Sequence, residues 1–158
     1  MKITICQQRS PLLIKQLVQL WEGSVRATHA FLNDAAIREI KKDVPEALQN
    51  VPTLVIASDA AAVPVGFMGV AADKLEMLFV AAQSRGQGVG GQLLQFGLTQ
   101  FNLRTVLVNE QNPQARGFYE HMGFHVVSRS EVDEQGRTYP VLTLQRPEFG
   151  RGYSVLPQ

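Results

Sequence analysis

Cysteine is all but missing from this chain: Cys6 is the only one in 158 residues. An internal disulfide framework and a cysteine-based metal cluster are thereby excluded. Histidine is nearly as scarce, with three residues, and no histidine–acid pair has metal-ligand spacing, so no metal is expected. Charge of one sign is missing as well. Fifteen Lys and Arg against fourteen Asp and Glu leave a formal net charge of +1. That balance argues against nucleic-acid and membrane partners and requires any anion site to be local. No apolar run approaches the ~18 residues of a membrane span. The N-terminus MKITICQQRS turns polar before an apolar signal region could form. What is left is an ordinary globular composition, 45% hydrophobic and 18% charged, and a cytoplasmic protein is the expectation. The length fits one domain, set at residues 1–146, followed by an aperiodic extension at 147–158.

What the chain does have is glycine in one place. Leu75–Val80 is a short apolar run, Arg85 follows, and glycines stand at 86, 88, 90 and 91. Gly90, Leu93, Leu94, Gly97, Leu98 and Phe101 then recur at helical spacing. A strand, a glycine turn and a helix start place bare N–H groups at the positive end of a helix, which makes an anion site. A Walker loop is ruled out, because Gly91 is followed by Gln92 and Leu93 rather than Lys and Ser/Thr. Gly86, Gly88 and Gly91 match the dinucleotide pattern literally, with Glu110 where a ribose-binding acid would stand. That reading needs a parallel βαβ sheet. Val65–Val80 instead reads as two strands joined at Ala72-Asp73, and so short a connection is antiparallel.

Taken in order, Lys2–Gln7 alternates as a strand, and Ser10-Pro11 opens a helix to about Thr28 with Ile14, Leu17, Val18, Trp21 and Val25 on one face. Trp21 reads as core. Asn33-Asp34 caps a second helix, interrupted near Pro45, and Thr53–Ser58 is the next strand. Val65–Ala71 and Lys74–Val80 form the hairpin, with Gly66 and Gly69 marking close approach or a bulge. Thr105–Asn109 follows the long helix, so it should run parallel to Lys74–Val80. Asn112-Pro113 and Gly123 bound a short helix, and Phe124–Asp133 and Thr138–Gln145 make a hairpin around 134–137. The expected fold is α/β, a mixed sheet of about seven strands flanked by helices on both faces, in the order β-α-α-β-β-β-α-β-α-β-β.

Arg85-x-x-Gly88-x-Gly90 directly after a strand resembles the acetyl-CoA pyrophosphate loop of the GNAT superfamily of N-acetyltransferases. A second block, Asn112-Pro-Gln-Ala115-Arg-Gly-Phe118-Tyr119-Glu-His-Met-Gly123-Phe124, resembles the same family, in the same order and separation. The two blocks cover roughly residues 75–125. The chain departs from the pattern at Ala82, where the family often has proline. Trp21-x-x-Ser24-Val25-x-Ala27-Thr28-His29-x-Phe31-Leu32 is similar to a subgroup of small bacterial members whose substrates are poorly defined.

The resemblance implies an enzyme moving acetyl from acetyl-CoA to a primary amine, on a small molecule or a peptide, by direct transfer in a ternary complex. The other reading is a non-catalytic acyl-CoA sensor. Coenzyme contacts are expected from Phe79 and Val80 on the strand, from Arg85, Gly86, Gln87, Gly88, Val89, Gly90 and Gly91 in the loop, and from Asn112 and Tyr119. Asn112 is equally explained as an N-cap. Tyr119 is the candidate general acid for the departing thiolate, an uphill donation from an ordinary pKa of about 10 to about 8.5. Its plain alternative is a core aromatic, a role for which Phe118 is the better candidate. Glu76 is the candidate base or a substrate-pairing carboxylate. Arg26, His29 and Phe31 are placed on the acceptor side together with Glu76 and Tyr139, which edges either the acceptor pocket or the sheet. His29 is a base, a hydrogen-bonding group or a helix C-cap; His121 and His125 are surface or strand residues. Cys6 lies outside both blocks, so a covalent acetyl-cysteine is not expected. Family members are often dimers, and the C-terminal hairpin offers edge strands for one. The acceptor and the oligomeric state stay open.

Overall fold

The computed structural model describes residues 1–147, which form two compact units divided after Leu103. The expected extension from 148 onward lies outside the described residues. In the first unit the elements are β1 (Lys2–Ile5), α1 (Pro11–Thr28), α2 (Asp34–Lys41), α3 (Val44–Asn50), β2 (Thr53–Ser58), β3 (Pro64–Ala71), β4 (Lys74–Val80) and α4 (Val89–Phe101). The second unit holds β5 (Thr105–Asn109), α5 (Pro113–His121), β6 (His125–Ser130) and β7 (Val141–Gln145).

Strands β1, β2, β3 and β4 lie side by side in that order, each antiparallel to the next. Adjacent residues of β3 point to opposite faces. Phe67 enters the cluster built on Leu17, Trp21 and Val25 of α1, whereas Gly66 and Met68 meet α4. Helices therefore cover both faces of this sheet. The approach of α4 is close. A Cβ at Gly66 would come within 2.8 Å of Val89 Cγ1, and one at Gly97 within 2.5 Å of Leu103 Cδ1 and 3.2 Å of Met68. Only glycine lets helix and strand meet at that distance.

Helix α1 begins as its sequence requires. The Ser10 side chain accepts from Leu13 N–H at 3.2 Å, and Pro11 occupies the first turn, where a missing N–H costs nothing. Its apolar face buries Ile14, Leu17, Val18, Leu20, Trp21 and Val25, so truncating a residue such as Leu17 to alanine would cost about 2–5 kcal/mol. Arg9, just before it, donates to the carbonyls of Leu48, Gln49, Val51 and Pro52 and so closes the C-terminal end of α3.

Three expected boundaries move. The single helix after Asn33 is two, because the chain turns at Lys42 and Asp43 and Pro45 falls in the first turn of α3 instead of breaking a helix. In the second unit β7 lies between β5 and β6, antiparallel to both. Its hairpin with β6 is shorter than the alternation predicts. Asp133 Oδ1 accepts from Gln135 N–H and Arg137 N–H, which organises a wide loop in place of a tight turn. Tyr139, expected on the last strand, therefore precedes β7. Its N–H goes to Arg137 O at 2.8 Å, and Pro140 has no N–H to offer a ladder.

Candidate active site

The glycine loop of the first unit is built by backbone conformation. After β4 the chain makes one 3₁₀ turn at Ala82–Ser84, then passes through Gly86 at φ 77° and Gly88 at φ 82° into α4. Both glycines occupy the left-handed region that L side chains rarely adopt. Gly88 is the N-cap of α4, no side chain caps it, and no acidic residue stands in the first turn. The N–H groups of Val89, Gly90 and Gly91 thus lack intrahelical acceptors. A cleft of about 330 Å³ lies against this loop, lined in part by Ser84, Gln87, Val89 and Gln92. The Arg85 side chain is exposed and adds positive charge beside the loop.

Phe79 and Val80 stand half-buried at the end of β4, opposite Phe67 and Gly66, and the Phe67 and Phe79 rings are 5.6 Å apart. The β3–β4 register slips between Gly69 and Val70. Gly69 pairs with Met77 and Val70 with Leu75, which leaves Glu76 as the extra residue of a bulge. Its side chain is 27% exposed, and Lys74 Nζ stands 3.7 Å away, beyond hydrogen-bond length. Gly66 and Gly69 point to a bulge or close approach, and both are present, but they do not name the extra residue of the bulge.

At the end of α1, Arg26 is engaged with Glu22 at 2.9 Å and Asp34 at 2.7 Å, and Lys41 reaches Glu22 at 2.7 Å. These exposed pairs tie α1 to α2, and each contributes little on its own. His29 is the C-cap residue and donates its N–H to Val25 O. Burial holds its imidazole pKa below the ordinary value. Phe31 packs on it with ring centroids 5.3 Å apart.

In the second unit, Asn112 Oδ1 accepts from Ala115 N–H at 3.2 Å and caps α5. The choice between the two aromatics of this helix is reversed: Tyr119 is the buried ring, at 7% exposure, and Phe118 is only half-buried. Tyr119 meets Phe118 and Phe124 edge-on at 5.1 and 5.9 Å. Burial pushes its phenol above the usual tyrosine range. Glu110, which the dinucleotide pattern would have used for a ribose, is gripped by Arg129 at 2.6 and 3.1 Å, and that guanidinium holds its carboxyl low. It is a structural pair of the second unit. Tyr139 is half-buried in the loop before β7. Sequence reasoning missed the partners of His29 in α1; a threonine one residue before a helix-terminal histidine, able to bond the carbonyl four residues back, was the available signal.

Residues 22–140, which include parts of both units, match the family described as an acetyltransferase (GNAT) domain. The chain belongs to the GNAT acetyltransferase family. Among the relatives of this GNAT chain is the peptidyl-lysine N-acetyltransferase YjaB of Salmonella typhimurium, 43% identical over 133 residues, with 84% of this chain and 91% of the relative covered. YjaB of Escherichia coli is 42% identical over 130 residues, covering 82% and 88%. The solution structure of apo YjaB from Escherichia coli matches with a TM-score of 0.81 at 40% identity, over 92% of this chain and 97% of that one. The expected α/β fold of GNAT type is therefore the fold of this chain. A PaiA N-acetyltransferase from Thermoplasma acidophilum, in complex with coenzyme A, shares the fold at 20% identity and a TM-score of 0.66, over 92% of this chain and 99% of that one. No helix among the described residues is long and apolar enough to cross a membrane.

Proposed function

We propose that this GNAT acetyltransferase transfers the acetyl group of acetyl-CoA to the side-chain amine of a peptide lysine, by direct attack within a ternary complex. The single observation that carries coenzyme binding is the uncapped start of α4, with its N–H groups unspent behind two left-handed glycines. In this reading a pyrophosphate accepts from the N–H groups of Gly86 to Gly91, with Arg85 adding charge. Phe79 and Val80 are the contacts of the pantetheine arm, and Asn112 contributes its side chain as well as its cap. The names of the YjaB relatives support lysine as the acceptor.

Proton handling follows from the side chains. The attacking nitrogen must be neutral, so one proton leaves the ammonium, to Glu76 directly or through a water. The bulge turns that carboxylate out of the strand's regular alternation. Nitrogen then bonds to the thioester carbon, the carbon–sulfur bond breaks with its electron pair on sulfur, and Tyr119 returns a proton to the thiolate. Burial makes Tyr119 a weaker acid than free tyrosine, and in this scheme close placement at the sulfur offsets the mismatch. Arg26, Phe31 and Tyr139 are retained as acceptor-side residues. The Cys6 thiol donates to Gln8 O at 3.2 Å and takes no part in this scheme.

Calorimetry with acetyl-CoA, run beside a thiol-release assay on a lysine peptide and a panel of small amines, tests the reading. Binding with release on the peptide supports it. Binding without release for any amine would identify a sensor, and absence of binding would remove both functions.

A further inference from the structure

The turn that ends α1 holds a three-residue arrangement that the transfer scheme leaves unused. Thr28 Oγ1 lies 2.8 Å from Ser24 O and 2.7 Å from His29 Nδ1. A threonine hydroxyl has a single hydrogen, and a carbonyl can only accept. With that hydrogen on Ser24 O, the Thr28 oxygen accepts from His29, which puts the imidazole proton on Nδ1. Nε2 is left with its lone pair. No described residue bonds Nε2, and the atom is not sealed inside the protein.

The surroundings keep this arrangement in place. Leu32 N–H donates to His29 O at 3.0 Å and fixes the turn. Phe31 stacks at an angle of 46° against the imidazole and supplies an apolar wall. Burial disfavours the imidazolium, and no charged neighbour contributes to that preference. A neutral ring with an outward lone pair attracts an N–H donor, whereas an imidazolium would repel an ammonium.

We infer that His29 binds the amine substrate, accepting one of its N–H bonds at Nε2, and that Thr28 is the positioning residue that selects the tautomer. The methylenes of a lysine side chain fit the Phe31 wall. This inference rests on the acetyl-transfer reading and adds the atom that would recognise its acceptor.

Long-range proton–nitrogen spectra of the labelled full chain read the tautomer directly. Wild type and Thr28→Ser should show His29 protonated at Nδ1, and Thr28→Val should lose that preference. In the thiol-release assay with a lysine peptide, His29→Leu should raise KM about tenfold or more, the scale of a hydrogen bond from a charged donor. Coenzyme affinity should not change. Thr28→Val should raise KM by a smaller factor, and Thr28→Ser should restore it; this pair carries the test should His29→Leu fail to fold. A wild-type ring protonated at Nε2 overturns the inference, as does a wild-type KM in folded His29→Leu. Wild type that releases no thiol from the peptide overturns the acceptor reading, and the role of His29 with it. Active wild type with insensitive variants removes His29 alone.

Discussion

Helices α4 and α5 begin in opposite ways. At α5 the protein closes its own helix: Asn112 Oδ1 takes the Ala115 N–H and Pro113 removes another donor. At α4 the N-cap is Gly88, which has no side chain to offer, and the first-turn donors stay unspent. Ser10 and Asn33 cap α1 and α2 through their side chains as well. Helix α3 also starts without a side-chain cap, but Pro45 removes one first-turn donor and Glu46 brings an acid there, whereas the first turn of α4 has neither. In the proposed scheme the two starts do different kinds of work: the open one offers backbone donors to the pyrophosphate, and the closed one leaves its helix to act through a side chain, Tyr119.

The largest effect should come from the side chain of the closed helix. Tyr119→Phe removes one hydroxyl and keeps the ring contacts with Phe118 and Phe124. A fall in kcat of about 10²–10⁴-fold is expected, with coenzyme affinity held, measured by thiol release at saturation. Because burial raises the phenol pKa, the deficit should persist throughout the alkaline assay range. Unchanged kcat with chemistry limiting would remove Tyr119 from the reaction.

Glu76→Gln should behave differently. Its deficit should approach that of Tyr119→Phe at low pH and shrink as pH rises, because free amine then forms without help. A deficit flat with pH would make Glu76 a substrate-positioning residue. On the open helix, Gly88→Asp places a carboxylate where the pyrophosphate approaches and forces an L residue to φ 82°. A Cβ there meets only Gln92 Nε2 at 3.8 Å, so the fold should survive while coenzyme affinity drops at least ~10-fold in calorimetry. Full affinity in the folded variant would end the assignment of the loop. The smallest effect belongs to the cap. Asn112→Ala should cost about 1 kcal/mol in urea denaturation, and Asn112→Ser should recover most of it. Recovery of stability without recovery of coenzyme affinity would separate the two roles of Asn112.

How legible these features were in the sequence depends on how local their causes are. Ser10-Pro11 defines the start of α1 through its own capping chemistry, and β2 and β4 follow from apolar runs with clear stops, so all three lie where the pattern puts them. The glycine loop was readable for the same reason. Other features depend on contacts that no window of sequence contains. Tyr119 rather than Phe118 is buried because Phe124, past the end of α5, packs against it. Tyr139 leaves the strand because Asp133 gathers the loop ahead of it. Glu76 becomes the extra residue of a bulge through the register of two strands, which the glycines announced without naming the residue.

The close seating of α4 on β3 divides the glycines of this chain by their tolerance of change. A methyl added at Gly66 or Gly97 meets Val89 Cγ1 or Leu103 Cδ1 inside van der Waals distance, so the neighbouring side chains must repack. Gly91 sits in open space, and a side chain there leaves the packing untouched. For the chain's evolution the seam is therefore tight ground, where any added atom must be matched by repacking. Gly91 is open ground within a loop whose Gly86 and Gly88 are held by their left-handed backbone.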